Sequence, residues 1–193
     1  MEKNELIPAP ACVVIGGSAG SLKVLLRILP GLDPHLLSPI IIVLHRQNGH
    51  HSTLEQLLGE RCRLIVKEAE DKETLLNGIV YLAPADYHLL VEKDYSLSLD
   101  GSEKIRWSRP SIDVSFQAVA EVFGARTLGI LLSGANDDGA SGLKEIQLAG
   151  GTTIIQDPLN AEMPVMPLAA LNLLQPDFLL PDHALAATIN NFG

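Results

Sequence analysis

Three short stretches hold residues whose types and spacing could carry out acyl transfer. In "VVIGGSAGS" (13–21) an apolar run stops at a G-x-S-x-G pattern, Gly16-Gly17-Ser18-Ala19-Gly20. In nucleophile turns that spacing lets small neighbours form a tight, strained bend that lifts the serine hydroxyl above a sheet. The amides of the next helix then face developing negative charge. A serine that merely caps the following helix in a Gly-rich turn fits the same pattern. An activated serine needs a base, and the base needs an orienting group. His45 directly follows the apolar run "PIIIVL", so it falls at the C-terminal end of a predicted buried strand, the edge at which open α/β sheets build their sites. "LLSGANDDGASG" follows another such strand and offers Asp137 and Asp138 at a helix entrance, where a carboxylate tends to stay ionised. A helix N-cap with a solvated neighbour is the competing description of those two residues.

Other chemistries fit less well. A dinucleotide loop requires G-x-G-x-x-G, and counted from Gly16 its second glycine is Ser18. No Gly-Lys-Ser or Gly-Lys-Thr follows to make a P-loop. His50 and His51 could join His45 around a metal, but no nearby carboxylate or cysteine completes a set, and no cofactor is expected. His35 lies near a turn, His88 in a hairpin and His183 near the last helix. The order Ser18, His45, Asp138, with 17 residues before the serine, also departs from α/β-hydrolases, in which the histidine comes last.

The elements that must position these residues follow from pattern. Apolar runs "CVVIG", "PIIIVLH", "GIVYLAP", "TLGILLSG" and "GTTIIQD" alternate with helical stretches, which predicts a doubly wound α/β fold: a mostly parallel sheet with helices on both faces. Leu22, Leu25, Leu26 and Leu29 place a helix directly after the serine loop. "STLE" puts Ser52 and Glu55 in capping-box register for another. "GIVYLAPADYHLLVEKDYSLSL" reads as two short stretches forming a β-hairpin excursion. Ser111 is the expected cap of a helix with Ile112, Phe116, Val119 and Ala120 on one face, and a further helix should end at Gly150 and Gly151.

With 193 residues, 47% of them hydrophobic, the chain suits one domain, 11–193, after a tail at 1–10. The net charge of −9 argues against nucleic-acid binding. Cys12 and Cys62 form no disulfide framework or zinc spacing and are expected as small core residues in a reducing cytoplasm. The start of the chain lacks signal-peptide character. "LLSPIIIVL" is about half of the roughly 20 residues that a membrane span needs.

The ordered blocks "VVIGGSAGS", "IIVLHRQ", "GIVYLAPADYHLLVE", "RPSIDVSFQAVA" and "LLSGANDDGASGLKEIQLAGGTTIIQDPLNAEMPVMPLAAL" together resemble the catalytic domain of CheB-type protein-glutamate methylesterases. The resemblance implies a cytoplasmic serine hydrolase that demethylates glutamate γ-methyl esters on chemoreceptor helices, with glutamine deamidation in some members. It implies Ser18 as nucleophile, His45 as base and then acid, Asp138 rather than Asp137 as the orienting acid, and the backbone amides of Ala19 and Ala135 as oxyanion donors. The partners implied are methylated chemoreceptors, a receptor methyltransferase or a separate response regulator, since no receiver domain is expected within these residues. The chain reads Ala19-Gly20-Ser21 where a threonine and a double glycine are usual in the family, so it departs at Ala19 and Ser21, and also at Ala135 and Asn136, where a methionine and a glycine are usual. A non-catalytic adaptor on the same fold is the alternative reading.

Overall fold

The computed structural model describes residues 11–46 and 52–192, and within these the chain alternates strand and helix. The elements are β1 (Cys12–Gly17), α1 (Ser21–Ile28), β2 (Ile40–Leu44), α2 (Ser52–Gly59), β3 (Ile65–Glu68), β4 (Ile79–Leu82), β5 (His88–Val91) and β6 (Leu97–Asp100). They continue with α3 (Ile112–Phe123), β7 (Thr127–Leu131), α4 (Ala140–Leu148), β8 (Thr152–Gln156), α5 (Val165–Leu173), β9 (Phe178–Leu180) and α6 (Asp182–Asn190). Seven strands form one sheet in the order β3-β4-β2-β1-β7-β8-β9, and every described pairing in it is parallel. The central strands are apolar without alternation because both faces are covered, as in β2, where all five residues are buried.

The two faces carry separate cores. Val13 and Ile15 of β1 pack with Val24, Leu25 and Ile28 of α1 and with Leu185 and Ile189 of α6. Cys12 and Val14 point the other way, toward Phe116 and Val119 of α3, Leu143 of α4 and Met166 of α5. Burial pushes the Cys12 thiol far above its ordinary range, so it stays protonated and packs as a hydrophobe. Cys62 is partly buried and packs against the edge of the core on the α1 side.

The excursion is shifted along the chain from its predicted place. Ile79–Leu82 pairs in parallel with both β2 and β3 in the main sheet, and the two-stranded antiparallel hairpin is β5 with β6. Its Leu89, Val91 and Leu97 lie on the α3 side of the core. The Glu55 carboxylate accepts from the Glu68 amide at 3.1 Å, which ties α2 to β3, while the Ser52 side chain of the expected capping box lies outside what the structure describes. The tail at 1–10 and the pair His50 and His51 lie outside the described residues. Among the described residues no helix is long and apolar enough to cross a membrane.

Strand order fixes where a site can form. From β1 the chain crosses through α1 to β2 on one side, and from β7 it crosses through α4 to β8 on the other. Right-handed crossovers in opposite directions put α1 and α4 on opposite faces. The loops after β1 and β7 therefore diverge, and a crevice opens between them at the C-terminal edge.

Candidate active site

Ser18 follows β1 and His45 follows β2, with Gly17 paired to Leu44 and the His45 amide donating to the Gly17 carbonyl at 3.3 Å. The loop after β7 carries Ala135, Asp137 and Asp138. Thus Ser18, His45, Ala135, Asp137 and Asp138 all lie on loops at the switch-point edge.

His45 and Asp138 form a direct pair. His45 Nε2 lies 2.7 Å from Asp138 Oδ2, with the carboxylate side chain fully buried and the imidazole 13% exposed. The acid meets Nε2, so the ring nitrogen left for a nucleophile is Nδ1, the reverse of the chymotrypsin arrangement. Asp138 accepts three further hydrogen bonds, from Ser111 Oγ at 2.9 Å and from the Ile112 and Asp113 amides at 2.8 and 3.0 Å. Burial alone would raise its pKa, but these bonds, led by the one from His45, hold it below the ordinary aspartate value. It is therefore ionised and matched to an imidazolium.

These contacts revise two expectations. Ser111 occupies the N-cap position of α3 but makes no side-chain cap bond there; its hydroxyl turns to Asp138, which caps α3 from across the fold. Asp138 does not cap α4, whose start is served instead by Asp113, with Oδ1 accepting from Gly139 at 2.9 Å and Gly142 at 2.7 Å. The two aspartates thus cap each other's helices. Burial raises the Asp113 carboxyl and the neighbouring Asp138 charge adds to this; the cap bonds and Arg106 only partly offset it. Asp137 is exposed and ion-paired to Arg106 Nη1 at 2.8 Å, which leaves Asp138 as the acid facing His45.

The serine loop is clamped rather than bent. Gly16 and Gly17 lie within β1, and among the glycines of this loop only Gly20, at φ +83°, uses the left-handed region. Gly16 is small for packing: a Cβ there would lie 2.3 Å from Ile112 Cγ2. Ser18 does not cap α1 through its side chain; its carbonyl instead accepts from the Ser21 amide at 3.1 Å and from the Ser21 hydroxyl. Ser133, fully buried at the end of the run after β7, grips the loop at two points. Its carbonyl accepts from the Ser18 amide at 2.9 Å and its hydroxyl donates to the Ala19 carbonyl at 2.8 Å. Between those points the Ala19 amide makes no hydrogen bond to another described residue, and neither does the Ala135 amide in the exposed part of the acid's loop. The Ser18 hydroxyl, half-buried, is likewise unengaged among the described residues. Ser133 was not singled out in the sequence, where it reads only as the end of a strand.

Beside His45 opens a cleft of about 700 Å³ lined by Arg46, Asp86, Lys104, Trp107, Ser108 and Arg109. Arg46 is pinned by Glu68 and by the Ala83 carbonyl. Ile105 and Ser108 exchange both backbone hydrogen bonds around a two-residue turn in which Arg106 (φ 49°) and Trp107 (φ 66°) both take positive φ. Such a hairpin turn ordinarily calls for Asn-Gly, and each non-glycine residue there costs about 1 kcal/mol or more. Arg106 ties the tip down, donating to the Asp137 carbonyl at 3.3 Å in addition to its carboxylate.

A base paired to a buried ionised acid, a free serine hydroxyl one strand away and two unspent amides suit attack on an acyl carbon and stabilisation of the oxyanion that forms. Among the described residues no three His, Cys, Asp or Glu side chains group to hold a metal ion. The family model described as CheB methylesterase matches residues 13–189. A Leptospira interrogans relative is 43% identical over 168 residues, 87% of either chain. The protein-glutamate methylesterase/protein-glutamine glutaminase of Thermotoga maritima is 34% identical over 174 residues, and the match spans 51% of that longer protein. The crystal structure of the Thermotoga maritima CheB methylesterase catalytic domain superposes with a TM-score of 0.91 at 31% identity, covering 96% of this chain and 100% of that one. Fold and sequence agree, and the chain belongs to the CheB methylesterase family.

Proposed function

We propose that this chain hydrolyses γ-methyl esters of protein glutamate residues on methylated chemoreceptors, with Ser18, His45 and Asp138 as its triad. The Ser18 hydroxyl attacks the ester carbonyl while His45 Nδ1 takes its proton, and Asp138 holds the ring and its developing charge through Nε2. The Ala19 and Ala135 amides receive the oxyanion. Collapse expels methanol, protonated by His45, and leaves a glutamyl ester on Ser18. His45 then activates water, whose attack releases the glutamate carboxylate and returns the proton to Ser18. A glutamine side chain follows the same route with ammonia as leaving group, in line with the glutaminase activity that the relatives' names carry.

The observation that carries this reading is the 2.7 Å pairing of His45 with a buried, ionised Asp138 directly beside the Ser18 loop. The adaptor alternative accounts for Asp138 as the cap of α3 and gives no reason for its bond to His45. Methanol release from methylated receptor fragments tests it, together with fluorophosphonate labelling. Wild type should release methanol and label at Ser18, and Ser18→Ala should do neither. Equal methanol release by the two proteins would sink the mechanism.

A further inference from the structure

The cleft beside His45 is unlike the rest of the molecule in charge. The chain carries a formal net charge of −9, yet this cleft is lined by three cationic side chains, Arg46, Lys104 and Arg109, against one carboxylate, Asp86. Among the described residues the Arg109 guanidinium hydrogen-bonds only to the Gly101 and Ser102 carbonyls, and Lys104 makes no hydrogen bond or ion pair. Among these three, only Arg46 has its charge met by a carboxylate contact from a described residue, Glu68. A cleft lined mainly by one sign of charge attracts groups of the other.

At the cleft's mouth stands Trp107, the only tryptophan in the chain and 94% exposed. An indole held almost wholly in water contributes nothing to the core, and it occupies a turn position that side chains rarely adopt. Of the five non-glycine residues with positive φ among those described, three, Asp86, Arg106 and Trp107, lie in or beside this cleft. Arg106 fixes the turn to Asp137, the neighbour of the acid that serves His45. The backbone of the turn is thereby held at a set position relative to the His45–Asp138 pair. Backbone strain that the surroundings hold in place is characteristic of functional sites.

We propose that Trp107, with Lys104 and Arg109, forms the surface that receives the substrate protein: an acidic peptide segment flanking the methylated glutamate, whose backbone and apolar stems lie against the indole while its carboxylates face the cations. This rests on the methylesterase reading of the site, whose product is itself a carboxylate, so a substrate with several such sites grows more acidic as it is processed. Trp107 is on this account a specificity-determining residue.

The test uses the single tryptophan as its own probe. A peptide carrying one γ-methyl glutamyl residue among glutamates is titrated into the Ser18→Ala protein, and tryptophan emission is followed. A saturable blue shift is expected with this peptide and none with the same peptide whose flanking glutamates are lysines. For methanol release, Trp107→Ala and Lys104→Glu should lower kcat/KM on the acidic peptide about tenfold or more, mainly through KM, as loss of an interfacial anchor does. That loss should exceed any loss in fluorophosphonate labelling rate by a similar factor. The proposal is overturned if emission does not move, if both peptides shift it alike, or if labelling falls as far as peptide turnover. If the wild type releases no methanol, the proposed activity fails, and the emission titration still decides the docking surface.

Discussion

Asp138→Asn strikes the pairing with His45 and the cap of α3 at once, and the structure gives the size of each effect. The carboxylate accepts four hydrogen bonds, His45 and the Ile112 amide on Oδ2, Ser111 and the Asp113 amide on Oδ1. An asparagine amide must place its NH₂ on one side. On the Oδ1 side the Ser111 hydroxyl can turn to accept, but the Asp113 N–H is left facing a donor. On the Oδ2 side the Ile112 N–H is left facing a donor, and His45 keeps a bond only by accepting at Nε2, in the tautomer that carries its proton on Nδ1. Either arrangement leaves one buried N–H unpaired, about 1–3 kcal/mol, with the loss of a charge at the α3 N-terminus adding up to about 1 kcal/mol more. The expected total of roughly 2–4 kcal/mol should lower the urea midpoint by about 1–2 M in a domain of this size. Labelling of Ser18 by a fluorophosphonate should fall by up to roughly 10⁴-fold, because a neutral partner no longer stabilises the imidazolium.

The pH dependence sharpens the test. The native Asp138 carboxyl is held below its unfolded value near 3.9, so its contribution to stability is fully present above that pH and is lost as pH falls through the lower native value. Wild type and Asp138→Asn should therefore differ most at neutral pH and converge in strong acid. Equal urea midpoints at pH 7 would refute the helix-capping role, and a labelling rate within about tenfold of wild type would refute the need for an ionised acid.

Asp113 should respond in the opposite way. Asp113→Asn keeps an oxygen for the Gly139 and Gly142 amides while removing a charge that burial and Asp138 disfavour, so stability at pH 7 should stay within about 1 kcal/mol of wild type or rise, whereas Asp113→Ala should lose about 1–2 kcal/mol; thermal unfolding distinguishes them. Ser133→Ala deletes the hydroxyl that holds the Ala19 carbonyl and accepts from the Met163 amide, and should lower kcat about tenfold with KM little changed. Ser133→Thr, which keeps the hydroxyl, should recover part of that loss, and steady-state methanol release reads both.

What the sequence disclosed was whatever depends on period and on strand ends. Unbroken apolar runs marked β1, β2, β7 and β8, and the fold class follows from their alternation with helices. Ser18, His45 and Asp138 were legible as candidates because each directly follows or closely trails such a run. The edge strands were not: β3 carries Lys67 and Glu68 with Ile65 exposed, and β9 is three residues long, so neither shows a buried strand's composition. The hairpin was displaced because "GIVYL" looks the same whether its neighbours are parallel or antiparallel. Ser133 and Arg106 act through contacts with residues 114 and 31 positions away, for which local pattern holds no signal.

Gly16 shows how a motif can be legible for one reason and built for another. As part of G-x-S-x-G it suggests a strained turn, yet it sits in extended β1, where its missing side chain makes room for Ile112 and Phe116 of α3. Ile112 is the residue whose amide donates to Asp138, so the approach of α3 to β1 sets the position of the carboxylate that meets His45. A side chain at 16 would press on the first turn of α3. Asp138 would move with that turn, because it is bonded to three consecutive residues there, and Asp113 on the same turn holds the start of α4. The glycine two residues before the serine thus acts on the acid more than on the nucleophile. The reciprocal caps turn that single close contact into a constraint shared by both helices that frame the site.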